Sequence, residues 1–432
     1  MNMNTQRLVK VSVYAQTDIG RVRQNNEDNF LIADLTERMY RTAATQDHHS
    51  VVTAAFNIGE RGFLAAVSDG MGGALAGEVA SHLAVNAVPL WMEKLQQDSQ
   101  TSRFPFSEQF RLAVEQTNKL IYKQSQSSPQ LVGMGATFTG AAFFQGQLYL
   151  AQVGDSRAYV VRDNRIIQAT KDQSLVEQLV EAGYLTEEQA REHAYKNVIL
   201  QALGAQPDTA VIMDRLTVFQ DDILVLCSDG LSNKVRDAEM LDILSRSRTL
   251  EEAGRRLIEL ANERGGEDNI TAVICRFQGE TLPRSSSPPS FDLERIERRE
   301  DLPLELTTIP FSADELLTEA LEHSDHPSEE DIPDPQREPD DDPASRMNAR
   351  DDNPRHSERT LERYIAHLMI GILILIFLGA AWAVAWYLKI REEGHQERPE
   401  PSAHPMARHK PFFPLTHPWT ALPRPLPSPR MV

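Results

Sequence analysis

The residues of this 432-residue chain that could do chemistry are acidic and come in short runs. They are Arg23-Gln24-Asn25-Asn26-Glu27-Asp28, then Ser68-Asp69-Gly70-Met71-Gly72-Gly73 leading to Gly77-Glu78, and Gly154-Asp155-Ser156-Arg157. Cys227-Ser228-Asp229-Gly230-Leu231 and Gly265-Gly266-Glu267-Asp268-Asn269-Ile270-Thr271 complete the set. Taken singly, Asp-Gly after a strand reads as a turn, because Asp bonds its own backbone and Gly accepts positive φ. Taken together, with several of the runs expected to close a strand in Asp, the carboxylates could converge on one sheet edge and repel. A hard divalent cation such as Mg²⁺ or Mn²⁺ would relieve that repulsion, since carboxylate, carbonyl and water oxygens suit it. Glycine beside the Asp lets a backbone carbonyl or a water approach such an ion.

Other chemistries fail on spacing. No His pair or Cys pair has zinc spacing, and no Gly-x-Ser-x-Gly elbow occurs. Gly72 to Gly77 imitates the start of a phosphate-binding loop, but Glu78 stands where lysine should be and would repel phosphate. Two cysteines, Cys227 and Cys275, rule out a disulfide framework and suit a reducing compartment. A net charge of −19 argues against nucleic acid as the main partner, which needs a basic surface.

Such residues need a sheet to hold them. Val9, Val11, Val13 and Ala15 alternate with Lys10, Ser12, Tyr14 and Gln16, the period of a half-buried strand. Residues 63–67, 136–144, 147–153, 223–227 and 270–277 read as further strands, with Gln145-Gly146 as a hairpin turn. Helical spacing links Val79, Leu83, Ala87 and Trp91, and again Phe106, Phe110, Val114, Thr117 and Ile121. Residues 175–182, 238–244 and 250–263 read as helices too. Strands that follow one another without helices between them favour antiparallel pairing over repeated βαβ units. Residues 34–62 lack a clear period and are expected as a surface excursion. The whole reads as one mixed α/β domain over residues 8–277.

Beyond it the composition changes. Residues 278–360 form an acidic, Pro-rich linker that cannot bury enough apolar surface to fold alone. Within it Phe311-Ser312-Ala313-Asp314-Glu315-Leu316 has a Ser N-cap and a Glu at N3, so a short helix through Leu321 is plausible, with a helix that only fluctuates within a disordered linker as the favoured reading. In residues 365–388 the stretch from 368 onward is uncharged, with Trp382, Trp386 and Tyr387 toward its end. As a helix it would span about 30 Å, the thickness of a bilayer core. A buried soluble helix is the competing reading, which the uninterrupted apolar length and aromatic end disfavour. Residues 389–432 are a Pro-rich tail.

In this order, the acidic segments resemble the metal-dependent Ser/Thr protein phosphatases of type 2C, in their bacterial form. Asp18-Ile19-Gly20, Met134-Gly135-Ala136-Thr137 and Thr170-Lys171-Asp172-Gln173-Ser174 add to the likeness, which covers residues 8–277. The resemblance implies an α+β fold, a sandwich of two antiparallel β-sheets flanked by helices (α-β-β-α). It implies two Mn²⁺ or Mg²⁺ ions, with Asp69 bridging them, the Gly70 carbonyl on the first, and Asp229 and Asp268 on the second. Glu27 and Asp28 act beside them, and Asp155 with Asp229 matches a third, weaker site. Arg23 matches the guanidinium that grips the substrate phosphate. Residues 182–202 correspond to a variable flap, in which His193 reads as a surface residue. Animal-type members carry His after the Asp-Gly pair as a proposed general acid; Met71 stands there and cannot donate a proton.

The function expected is therefore hydrolysis of phosphoserine and phosphothreonine on proteins by a water activated between two metals. The partners expected are phosphorylated proteins, including receptor-type Ser/Thr kinases, and the membrane. A phosphatase dedicated to a sigma-factor cascade and an inactive phosphoprotein sensor are the alternatives. The start of the chain has no apolar run of signal-peptide length. A single-pass protein of the cell membrane with its catalytic domain in the cytoplasm is expected.

Overall fold

Alternation sets the layering. In chain order the strands are β1 (Lys10–Asp18), β2 (Asp28–Asp34), β3 (Met39–Thr42), β4 (Val51–Asn57), β5 (Phe63–Met71), β6 (Gly135–Ala136) and β7 (Phe138–Phe144). They continue as β8 (Gln147–Val153), β9 (Arg157–Arg162), β10 (Arg165–Gln168), β11 (Ile212–Thr217), β12 (Ile223–Cys227), β13 (Ile270–Gln278) and β14 (Glu294–Arg295). The helices are α1 (Ala74–Gln97), α2 (Phe106–Ser125), α3 (Leu175–Glu181), α4 (Glu187–Glu192), α5 (Asp229–Ser232), α6 (Asp237–Arg246) and α7 (Leu250–Glu263). One sheet has the order β10-β9-β12-β13-β1-β4, and the other β14-β11-β8-β7-β5-β2-β3, with β6 extending from β5. Each strand pair is antiparallel.

This computed structural model describes residues 9–43, 49–72, 74–285 and 290–299. The chain divides into two units, Met1–Pro333 and Asp334–Val432, and every described residue belongs to the first. The short helix expected near Leu316, the apolar stretch of residues 368–388 and the Pro-rich tail lie outside the described residues. Among the described residues, no helix is long and apolar enough to cross a membrane.

Successive side chains of one strand enter different cores, as the two-residue period requires. Phe63, Ala65 and Val67 of β5 fill the space between the sheets with Val13, Phe30, Phe143 and Phe277. Leu64 and Ala66 face the other way, onto Leu83 and Trp91 of α1 and Phe110 of α2. On the opposite sheet, Val225, Ile274 and Tyr14 pack under Leu257 and Ile258 of α7. The expected α-β-β-α sandwich is what these residues build. Gln145 and Gly146 have φ of 50° and 78°, as the primed two-residue turn between β7 and β8 requires.

Two expectations change. Residues 34–62 are not an excursion: β3 pairs with β2 and β4 pairs with β1. Both lie at sheet edges with one side to solvent, so their buried face is too thin to give a clear period. The domain also does not end at residue 277. Residues 290–299 fold back onto it, and β14 hydrogen-bonds to the edge strand β11.

Gly254 shows how tight the outer layer is. A Cβ there would sit 2.2 Å from the Tyr14 ring, and Tyr14 is 1% exposed. Alanine normally gains about 1 kcal/mol over glycine inside a helix. Gly254→Ala should reverse that sign and cost about 1–3 kcal/mol through overpacking, read as a lower urea midpoint with unchanged m.

Candidate active site

Antiparallel pairing collects the carboxylates. β5 and β12 end at the edge of the sandwich where β2 and β13 begin. The Asp residues therefore do not all close strands: Asp69 lies within β5, Asp28 opens β2, Asp229 opens α5 and Asp268 precedes β13. Asp155 follows β8. Asp28 and Asp69 are direct cross-strand partners, an arrangement in which like charges destabilise a sheet.

Asp28 is buried, and its Oδ2 accepts from Ser228 Oγ at 2.7 Å and Thr271 Oγ1 at 2.7 Å. Thr271 belongs to β13 of the other sheet, and Ser228 directly follows that sheet's β12. Thr271 spends its hydrogen on Asp28, so it accepts from Thr17 Oγ1 at 2.7 Å, which in turn accepts from Asn26 Nδ2 at 2.9 Å. The loop carrying Arg23 and Glu27 is strapped by Asn269, whose Oδ1 accepts from the Glu27 amide and whose Nδ2 donates to the Ile19 and Asn25 carbonyls. Gly20, at φ 85°, lets this loop pass; a Cβ there would lie 2.3 Å from the Asp268 carbonyl oxygen.

The backbone of Asp69 is fixed from both sides by Thr137, which accepts from its amide through Oγ1 at 2.9 Å and donates to its carbonyl at 2.8 Å. Gly70 donates to the Glu27 carbonyl and lies against Gly77, where a side chain would collide with the Gly77 oxygen at 2.1 Å. Gly77 likewise leaves room for the Glu27 carboxylate. Gly77, which ends the run that imitates a phosphate loop in sequence, thus serves close packing around the acidic edge.

Arg23 donates through Nη2 to Asp268 at 2.9 Å. Its guanidinium is half exposed, and Asp268, Glu27 and Asp69 outweigh desolvation to raise its pKa. Asp155 and Asp229 line a cavity of about 410 Å³ beneath the flap, with Arg157, Lys196 and Ser232 also on its walls. Its flap carries α3 and α4 and begins earlier than residue 182, at the Ser174–Ile199 bridge. His193 is half-buried in the flap and sits against the Tyr195 ring.

Loss of water is the largest influence on each of the central carboxyls, and their neighbours' charge adds to it. Asp28 is pushed up to about 7, Asp155 to about 8 and Asp229 to about 6. Asp69 is raised well above the usual range, with Asp28, Asp229, Asp155 and Asp268 all contributing. Glu27 is raised as well, by burial and by Asp268 and Glu78. One oxygen of Asp229 is buried without any hydrogen-bond partner. Among the described residues, no three His, Cys, Asp or Glu side chains close around a point on their own. Asp28 is turned to its hydroxyls and Asp268 to Arg23, so carbonyl and water oxygens must complete any ion's shell. The hard oxygen donors, the crowded charge and the orphaned Asp229 oxygen suit divalent ions of the Mg²⁺ and Mn²⁺ kind.

The family model for protein phosphatase 2C matches residues 36–273, more than half of the chain. The chain belongs to the protein phosphatase 2C family. It is 36% identical over 268 residues to the serine/threonine phosphatase stp of Listeria welshimeri, covering 60% of this chain and 93% of that protein. It is 35% identical over 287 residues to the serine/threonine protein phosphatase PstP of Mycobacterium tuberculosis, covering 65% of this chain and 49% of the relative. The crystal structure of the M. tuberculosis phosphatase PstP/Ppp superposes with a TM-score of 0.50 at 34% identity, over 62% of this chain and 99% of that one. As a 2C phosphatase the chain is a serine/threonine protein phosphatase served by two Mn²⁺ or Mg²⁺ ions. The residues expected from sequence, Arg23, Glu27, Asp28, Asp69, Gly70, Asp155, Asp229 and Asp268, all stand at the one edge. Sequence reasoning assigned no role to Thr137, Ser228, Thr271 or Asn269, although each lies within the matching segments.

Raised carboxyl pKa values have a definite consequence without metal. Between about pH 4 and pH 8 these groups bind more protons in the folded chain than in the unfolded one. Their favourable contribution is complete below the unfolded value and is lost as pH rises through about 6 to 8. In chelator the melting temperature should therefore fall from pH 5 to pH 8, and Mn²⁺ should raise it more at pH 8. Calorimetry checks this; a metal-free midpoint that climbs across the same range refutes the electrostatic account.

Proposed function

We propose that this chain removes phosphate from phosphoserine and phosphothreonine of protein substrates while tethered at a membrane. The observation that supports the chemistry is the convergence of Asp28, Asp69, Asp155, Asp229 and Asp268 on one edge, faced by the exposed guanidinium of Arg23. Asp69, the Gly70 carbonyl, Asp229 and Asp268 would hold the two ions, with Glu27 and Asp28 beside them and Asp155 with Asp229 at the weaker third position. When bound, such ions supply Lewis-acid charge and a nucleophilic water at neutral pH. The chain then needs no Ser or Cys nucleophile, and both its cysteines are buried, with thiols that burial keeps protonated.

The protein's own groups do the rest. Arg23 offers a planar fork to the phosphate oxygens and keeps donors beyond the one given to Asp268. Thr137 and Asn269 hold Asp69 and the Arg23 loop in place, so little reorganisation remains at the moment of reaction. Met71, 37% exposed at the end of β5, can exclude water from the leaving group but cannot protonate it.

The tether rests on the uncharged stretch of residues 368–388 and its aromatic end. The described domain runs to residue 299, so about seventy residues would separate it from the bilayer, with a reach of roughly 45 Å were they to behave as a Gly/Ser-like linker. That reach favours membrane-anchored phosphoproteins, receptor-type kinases among them, through raised effective concentration.

Asp69→Asn or Asp229→Asn should lower turnover on a phosphothreonine peptide on the order of a hundredfold or more, and excess chelator should do the same to the unaltered chain. Full activity in chelator would sink this reading. Arg23→Ala should raise KM about tenfold or more, as loss of a charge-assisted contact predicts, with a smaller change in kcat. Met71→His should speed alkyl phosphates and add a pH dependence near the imidazole pKa; no effect means that protonation is already served. Deleting residues 361–432 should release the enzyme from membranes with unchanged peptide turnover and slower action on membrane-bound substrates.

A further inference from the structure

Arg111, Glu115 and Asn118 recur at helical spacing and share one face of α2. The return arm of the flap, residues 201–211, lies across that face. Asn118, 1% exposed, accepts from the Gly204 amide at 2.8 Å and donates to the Gln206 and Pro207 carbonyls at 3.0 Å each. Arg111, 6% exposed, donates through Nη1 to the Val211 carbonyl at 3.0 Å, where the arm rejoins the sheet as β11. Its Nη2 donates to the Ile296 carbonyl at 2.7 Å. One buried fork therefore joins the arm to the strap of residues 290–299. Ile296 donates back to Met213, Arg295 pairs with Asp214 at 2.7 Å, and Arg298 pairs with Glu115 at 2.8 Å.

The arm leads to the cleft. Leu203 exchanges two backbone hydrogen bonds with Ala136, at 3.0 and 2.8 Å, and Ala136 pairs with Gly70. Where the arm begins, Leu200 donates to Gln173 at the start of the flap, and the Gln173 amide donates to Gly154 beside Asp155. We infer that the strap latches the flap's return arm through Arg111, which makes Arg111 a positioning residue for the substrate cleft. A lysine keeps the charge but lacks the rigid fork that reaches two carbonyls at once. The strap lies beyond residues 36–273, the segment that the family model matches.

The inference rests on the phosphoprotein phosphatase reading, and the unaltered full chain with Mn²⁺ tests that reading separately. In the full chain, residues 290–299 are replaced by a Gly/Ser sequence of equal length, which removes the strap's contacts outright. KM for a phosphothreonine peptide, which spans the cleft, should rise roughly threefold to thirtyfold. The kcat/KM for p-nitrophenyl phosphate, which needs only the acidic edge, should stay within about twofold. Amide exchange across residues 201–211 should quicken. Arg111→Lys should reproduce the same split. An unchanged peptide KM overturns the inference. So does an equal loss on both substrates or a collapse of folding, since either would make the strap a prop of the whole core.

Discussion

The carboxylate of Asp28 sits where the two sheets meet. It opens a strand of one sheet yet takes its hydrogen bonds from Thr271 of the other and from Ser228 just past that sheet's β12. Between the layers the sandwich is packed with apolar side chains, which set the spacing of the layers but not their register at this edge. Directed bonds to a charged acceptor do set it, because they weaken steeply off-axis and are among the stronger ones available. The clasp also carries a cost. Asp28 faces Asp69 across one ladder and is buried, and its two hydroxyl partners only partly offset desolvation and the charges of Asp268 and Asp229. A core of the same shape would be steadier with an apolar residue there.

Everything else at this end of the molecule accommodates that crowding. Antiparallel order lets strand starts and strand ends share one rim, so residues far apart in sequence become neighbours. Gly70 and Gly77 let backbone approach backbone, and Gly20 lets the Arg23 loop lie on the Asp268 carbonyl. Thr137, Asn269 and Thr17 then fix the loops with uncharged hydrogen bonds, adding donors without adding positive charge that would quench the carboxylates.

Much of this was legible before any coordinates. The acidic segments, their order and the long alternating strands pointed to the family, and the Gln145-Gly146 turn marked its hairpin. What escaped has physical reasons. β2 is buried along its whole length, so it shows no polar alternation to read. β3 and β4 are edge strands whose thin buried face looks like a loop. Residues 290–299 are polar and follow a Ser/Pro run, and composition gave no sign that their arginines would find Asp214 and Glu115. Hydroxyl clasps such as Ser228 and Thr271 are invisible to periodicity, because a buried threonine in a strand looks like any β-branched residue.

Geometry also decides which arginine can serve a substrate. Arg157 lies close to the same edge, but its Nε and Nη2 are both given to Asp172, at 3.0 and 2.7 Å, and the pair is mostly buried. Breaking such a bidentate, desolvated pair would leave a carboxylate unpaired in the interior, at a cost of several kcal/mol. Arg157 is therefore scaffold. Arg23 meets Asp268 with one amino group only, and the two side chains are 48% and 33% exposed. An exposed pair of that kind is worth about 0–1 kcal/mol. A phosphate, with more charge than a carboxylate and acceptor oxygens that match the fork, can exchange for Asp268 at little cost. The weakness of that surface pair is what would leave Arg23 free to bind and release a phosphate in the proposed role.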